Sequence, residues 1–171
     1  YFVDGVRVPY LFHFGLGPGV IHPGLLERVD LYPGAYPAQW GRFAGGFIAG
    51  ETRDPARSFT GEANIRLFDA GALAEAPFAN GKGHVLVGGR FSYTAAILSL
   101  VVPELSIDYK DYHARVTYDV TPKDRLTLFT FGAADVAANV ENGEKQVLFA
   151  SEFHRLDLRW DRKMGAATRS R

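Results

Sequence analysis

The chain has 171 residues and no cysteine, which excludes disulfides, zinc–thiolate centres and cysteine nucleophiles. Its 19 Lys and Arg balance 19 Asp and Glu, removing the net basic surface that nucleic-acid binding uses to displace counterions. Aromatics are 13% of the residues, glycine is frequent at 19 and lysine is scarce; this predicts a β-rich protein with many turns and suits a membrane interface.

From Tyr1 to about Pro55 the text is dense in Gly and Pro, with short apolar runs. Tyr1–Val3 and Val6–Val8 read as two short strands around a tight Asp4-Gly5 turn, a strong local hairpin signal. Pro23 near the start of His22–Glu27 suits a single helical turn. Arg28–Tyr32 alternates and stops at Pro33-Gly34, so it reads as a strand and a turn; Phe47–Thr52 reads as another strand. Elements this short need a neighbour to pack against.

Past Arg57 the pattern becomes long alternation. Six strands are predicted, at roughly 58–68, 71–78, 84–98, 108–120, 125–137 and 151–162. In the third, Val85, Val87, Phe91, Tyr93, Ala95 and Ile97 share one face and Arg90, Ser92 and Thr94 the other. In the fourth, Tyr112, Ala114, Val116, Tyr118 and Val120 oppose Asp111, His113, Arg115, Thr117 and Asp119. In the sixth, Leu156, Leu158 and Trp160 oppose Arg155, Asp157 and Arg159. The second strand carries little signal in Ala72, Ala74 and Ala76. The fifth is ambiguous, because Leu126 and Leu128 compete with Phe129 and Phe131 for one side. These segments exceed the usual soluble strand of about 5–6 residues and match tilted membrane-crossing strands of about 9–11. Tight turns at Asn80–Gly83 and Thr121–Asp124 alternate with longer connections at Ser99–Ile107 and about Ala138–Phe149, the asymmetry of a transmembrane barrel. No apolar run approaches the roughly 20 residues of a membrane helix.

Val3–Gly15 followed by His22–Arg53 resembles the second half of the plug domain of TonB-dependent outer-membrane receptors. The resemblance rests on Glu27-Arg28-Val29, the strand after it, the Pro33-Gly34 turn, Trp40-Gly41-Arg42, the Gly45-Gly46 pair and the strand ending Glu51-Thr52-Arg53. It covers about a third of the chain; the remainder is similar to the family's barrel in pattern alone. It implies a mainly β protein in two parts. Residues 1–55 would be the C-terminal part of a plug, with short strands and a helical turn. Residues 56–171 would be the first six or so antiparallel up-and-down strands of an incomplete transmembrane β-barrel. The resemblance further implies a bacterial outer-membrane location and energised uptake of a scarce extracellular ligand of the siderophore, cobalamin or glycan class. Partners would be outer-membrane lipid and the TonB complex, the latter through a segment absent from this chain. No cofactor is implied. Asp4, Gly5, Pro33, Gly34, Gly41, Arg42, Gly45 and Gly46 are the residues expected to shape the plug. An Arg42 in a water-poor interface would need carboxylates, with Glu62 one candidate; otherwise it is a solvated surface residue.

Sharper readings are weaker. Histidines 13, 22, 84, 113 and 154 lack metal-site spacing. Gly15-Leu16-Gly17-Pro18-Gly19 lacks the Lys-Ser/Thr end of a phosphate loop. Asp111, Asp119, Arg115 and Arg155 read as a polar barrel lumen before acid–base machinery. Tyr109, Tyr112, Tyr118 and Trp160 read as girdle or strand composition before a sugar platform. With no nucleophile–base or metal constellation, an enzyme is not expected. The alternatives are a small-ligand-binding soluble β-barrel and a surface adhesion barrel. On the receptor reading, Val85, Val87, Phe91 and Tyr93 face lipid, an Arg at Val87 is costly and an Arg at Ser92 is far milder. Six strands with two open edges predict that the chain alone is insoluble or poorly ordered.

Overall fold

The computed structural model describes residues 1–34, 45–141, 144–164 and 169–170. The chain divides into two compact units, Tyr1–Asp54 and Pro55–Arg171. The first contains four short strands, β1 (Phe2–Val3), β2 (Val6–Arg7), β3 (Leu26–Tyr32) and β4 (Phe47–Thr52), with 3-10 turns at His13–Gly15 and Pro23–Leu25. They make one sheet in the order β2-β1-β4-β3. β1 and β2 form the hairpin expected around Asp4 and Gly5, whose φ angles are 49° and 85°. β3 and β4 are antiparallel, while β1 runs parallel to β4. Val3, Val8, Val20, Ile21, Leu25 and Phe47 are buried.

The second unit is a seven-stranded sheet. Its members are β5 (Thr60–Ile65), β6 (Asp69–Phe78), β7 (Gly83–Ser92), β8 (Leu105–Asp119), β9 (Asp124–Glu141), β10 (Glu144–Lys163) and the two-residue β11 (Arg169–Ser170). They lie in sequence order, every neighbouring pair antiparallel. The meander read from the sequence is therefore observed, with seven strands in place of six.

Two boundaries differ from expectation. The strand predicted over 84–98 stops at Ser92, and Thr94–Leu98 form a short helix, α1. The last register pair between β7 and β8 is Phe91 with Lys110. Beyond it the backbone bonds locally, Ala96 N–H to the Tyr93 carbonyl at 3.1 Å and Ser99 N–H to Ala95 at 3.0 Å. A chain without a ladder partner must satisfy its amides within itself, and Ala95, Ala96 and Leu98 are good helix formers. Second, among the described residues the long connection expected over about Ala138–Phe149 is strand: β9 runs to Glu141 and β10 begins at Glu144, which pair with each other.

Alternation sets the faces, and the polar face is the buried one. On β7, Leu86, Arg90 and Ser92 are buried, while Val87 and Phe91 are 52% and 65% exposed. On β8, Tyr109, Asp111, His113, Arg115 and Thr117 are buried while Val116 and Tyr118 are open. The ambiguous β9 resolves with Thr127, Phe129, Phe131 and Asp135 buried and Leu126, Leu128 and Val136 exposed. On β10, Phe153, Arg159 and Asp161 are buried and Leu156, Leu158 and Trp160 exposed. A sheet in water hides its apolar side; here Val87, Phe91, Leu156, Leu158 and Trp160 stand exposed on one face, while the other buries charges together with Leu73, Leu86, Phe129, Phe131 and Phe153.

Candidate functional site

The buried face carries charges as matched pairs set by register. Arg90 on β7 lies directly opposite Asp111 on β8, and its Nε donates to Asp111 Oδ2 at 2.7 Å. Arg115 reaches past Leu86 to Glu75 on β6, Nη2 to Oε1 at 3.3 Å, with both side chains at most 5% exposed. Tyr109 donates its hydroxyl to Asp69 Oδ2 at 2.7 Å, and its backbone N–H goes to Ser92 Oγ at 2.7 Å. His113 Nδ1 lies 3.9 Å from Asp111 Oδ1. Nearer the β8–β9 turn, Arg125 Nε bonds Asp119 Oδ1 at 2.6 Å and Arg159 Nε bonds Asp157 Oδ2 at 2.7 Å. Rings fill the remaining space: Phe129 and Phe131 centroids are 5.1 Å apart, and Phe153 meets Phe131 edge-on at 6.1 Å. Arg90, Asp111, Arg115 and Glu75 are the deeply buried members, and each of these ions needs its partner.

The exposed face is ordered in rows. One continuous row runs Phe78–Gly83–Tyr118–Leu126–Trp160 across five strands. The Phe78 and Tyr118 rings stack at 6.2 Å, and a Cβ on Gly83 would meet the Phe78 ring at 2.3 Å, so that ring takes the glycine's place on the surface. Just beyond this row, Asp124 accepts the Trp160 indole N–H at 3.1 Å and sits 3.4 Å from Arg162. The Thr121 hydroxyl caps the same turn, donating to Asp124 Oδ2 at 2.6 Å and accepting the Lys123 and Asp124 N–H groups at 3.2 and 3.0 Å. At the other end, Phe91, Lys110, Ala134 and Glu152 share a row. Between the two lie rows such as Val85–Val116–Leu128–Leu158. Glu152 and Arg162 are ten residues apart on β10. At about 3.3 Å per residue, that interval spans about 33 Å along the strand.

The residues singled out in the sequence belong to the first unit and hold backbone geometry. Asp4 accepts the Thr52 N–H at Oδ1, 2.9 Å, and the Thr52 hydroxyl at Oδ2, 2.6 Å. Gly5 and Gly45 have φ of 85° and 92°, which favour glycine. A Cβ on Gly46 would fall 2.6 Å from the Tyr32 carbonyl, so its close approach to the end of β3 needs a bare backbone there. Gly41 and Arg42, with Trp40, lie outside the described residues, and so does any pairing of Arg42; Glu62 is exposed on β5. Arg28 donates to Asp30 at 2.9 Å and to Glu51 at 3.0 Å. Those carboxylates, Asp30 first, hold its guanidinium pKa above the ordinary value, though the group is open to solvent and the pairs contribute little.

One expectation is corrected. Ser92 is 1% exposed and accepts the Tyr109 N–H, so an arginine there would displace a buried acceptor and is not mild. Sequence reasoning also missed a polar island on the exposed face: Tyr112, Glu152 and His154 are brought together only by pairing across β9. Among the described residues no group of three His, Cys, Asp or Glu is placed to hold a metal ion, and no helix is long and apolar enough to cross a membrane, which leaves crossing by strands open. No protein-family model, curated protein or solved structure matches this chain.

Proposed function

We propose that the chain is part of a TonB-dependent outer-membrane receptor, its first unit a portion of the plug and its second a stretch of barrel wall. The observation that carries the reading is the inverted polarity of the seven-stranded sheet. A largely apolar exposed face lies between an aromatic row backed by Asp124 and Arg162 and a row holding Lys110 and Glu152, about 25 Å apart at the roughly 40° tilt of barrel strands, while the opposite face buries paired ions. A sheet in water would leave Val87, Phe91, Leu156, Leu158 and Trp160 as a contiguous apolar patch, a liability for association. In a bilayer the same patch is solvated by lipid.

On this reading β5, and β10 beyond its two-residue pairing with β11, join further wall strands, because an unpaired strand edge in hydrocarbon costs several kcal/mol per orphaned backbone group. The plug-like unit supports a gated receptor over an open pore, since a plain pore needs no folded plug. The activity would be energised uptake of a scarce extracellular ligand of the siderophore, cobalamin or glycan class, driven through TonB; no catalytic step is involved.

Two measurements test it. Cells expressing the protein should carry it in the outer-membrane fraction and take up its ligand only when TonB is present. The 171-residue chain expressed without detergent should aggregate or lack a cooperative melt. A monodisperse monomer in water with a cooperative melt would overturn the reading in favour of a soluble ligand-binding barrel.

A further inference from the structure

The first unit bonds its own beginning to its own end. β1 runs parallel to β4, with Phe2 opposite Ala49 and Val3 opposite Gly50. Asp4 extends the contact: its N–H donates to the Gly50 carbonyl at 2.9 Å, and its carboxylate accepts the Thr52 N–H and hydroxyl at 2.9 and 2.6 Å. Thr52 is the last residue of β4, and the exit is fastened again one residue later. There the Arg53 N–H donates to the Leu25 carbonyl at 3.0 Å and Arg53 Nε to the Gly24 carbonyl at 2.7 Å. Beyond Asp54 and Pro55, the Ala56 carbonyl lies 3.1 Å from His84 Nδ1 within the second unit. Parallel pairing decides how a pull is borne. Tyr1 leads into β1 at its N-terminal end and Arg53 leaves β4 at its C-terminal end. Tension between them slides the two strands past each other and loads every bond of the contact at once, whereas two strands pulled from the same end open one bond at a time.

We propose that the β1–β4 contact, locked by Asp4, is a mechanical stop. Tension entering at Tyr1 crosses from Phe2–Asp4 to Ala49–Thr52 and leaves through Asp54 and Pro55. The chain from Gly5 to Ile48 lies off that path and stays unloaded until the contact yields. Asp4 is the locking residue, because its carboxylate ties the start of the unit to the last residue of β4. Its use in transport rests on the receptor reading, in which TonB acts through a segment ahead of the plug. The stop then keeps this part of the plug folded while the chain before it is drawn out.

The chain has no cysteine, so a pair of introduced cysteines gives unique handles for optical tweezers. The full 171-residue chain in neutral-detergent micelles is held at Asp54→Cys and pulled at either Tyr1→Cys or Glu27→Cys, all three positions being exposed. Glu27 lies at the Thr52 end of the β3–β4 pair, so that pull peels β3 from β4 one pair at a time. The Tyr1 pull should break at about twice the force of the Glu27 pull, because forced unfolding follows the barrier along the loaded direction. The chain from Gly5 to Ile48 should lengthen only after that peak. Asp4→Ala should lower the Tyr1 peak and leave the Glu27 peak in place, with Asp4→Asn between; a residue that only stabilised the unit would lower both alike. Where Asp4→Ala fails to fold, Thr52→Val replaces it, removing the hydroxyl bond alone. Equal peaks from the two handles overturn the stop and leave the receptor reading standing. So does lengthening of Gly5–Ile48 before the Tyr1 peak, or a loss in the Asp4 or Thr52 variant shared equally by both handles. Ligand uptake that needs no TonB sinks the receptor reading and with it the use of the stop, while the difference in force between the handles would remain.

Discussion

Arg90 on β7 and Asp111 on β8 face each other across one strand boundary, Nε 2.7 Å from Oδ2, with side chains only 6% and 1% exposed. Removing one member strands the other charge where it is buried. Asp111→Ala is expected to cost about 3–5 kcal/mol, whereas replacing both with leucine should recover most of that loss. Denaturant unfolding of the folded protein in lipid vesicles reads both variants. A cost within about 1 kcal/mol for the single change would show that water reaches this face.

Depth along the exposed face makes a second comparison. Val87 sits near the middle of the apolar band, and Phe91 at its edge beside Lys110. Val87→Arg should cost about 2–4 kcal/mol in a bilayer and Phe91→Arg about 0–1, because the penalty for a charge falls towards the interface. Refolding into vesicles across a denaturant series measures both. Equal costs would contradict the assigned band.

Gly132 carries a third. A methyl there would lie 2.6 Å from the Phe153 carbonyl and 2.7 Å from both His154 Nδ1 and Tyr112 Cε1. Gly132→Ala should therefore push the tyrosine and histidine apart and destabilise the sheet by about 1–3 kcal/mol. The histidine ring resonances in a nuclear magnetic resonance spectrum should shift; an unmoved ring and an unchanged unfolding midpoint would refute the contact.

Asp4 and Thr52 supply the fourth, in the first unit. Asp4→Ala removes both acceptors of Thr52 and should cost about 1–3 kcal/mol, and Asp4→Asn less, since one carbonyl oxygen remains. Hydrogen exchange at the Thr52 amide should accelerate in the alanine variant. Exchange at the wild-type rate would mean the contact is not held.

Period-two alternation within the predicted 84–98, 108–120 and 151–162 was enough to mark strands and which residues share a face, because successive side chains must point opposite ways, and the tight turns gave their antiparallel order. The Asp4-Gly5 hairpin and the Phe47–Thr52 strand were equally local. Where β7 ends was not, because the same apolar run of Ala95, Ile97 and Leu98 continues as strand or turns to helix according to whether a neighbour offers a ladder. Nor was the burial of Ser92: a small polar residue reads alike whether it meets water or a tyrosine amide.

Sequence by itself determined the two faces of β7, β8 and the 151–162 part of β10, where one alternating set is plainly apolar, and left those of β9 open, since composition and period are properties of the chain. Tertiary structure alone decided which partners meet on them. Glu75 and Arg115 are forty residues apart, and Tyr112 and His154 are separated by a whole strand. Alternation states that these side chains share a side and is silent on the register that brings them level, because register is set by hairpin turns and pairing between strands, which no single strand encodes.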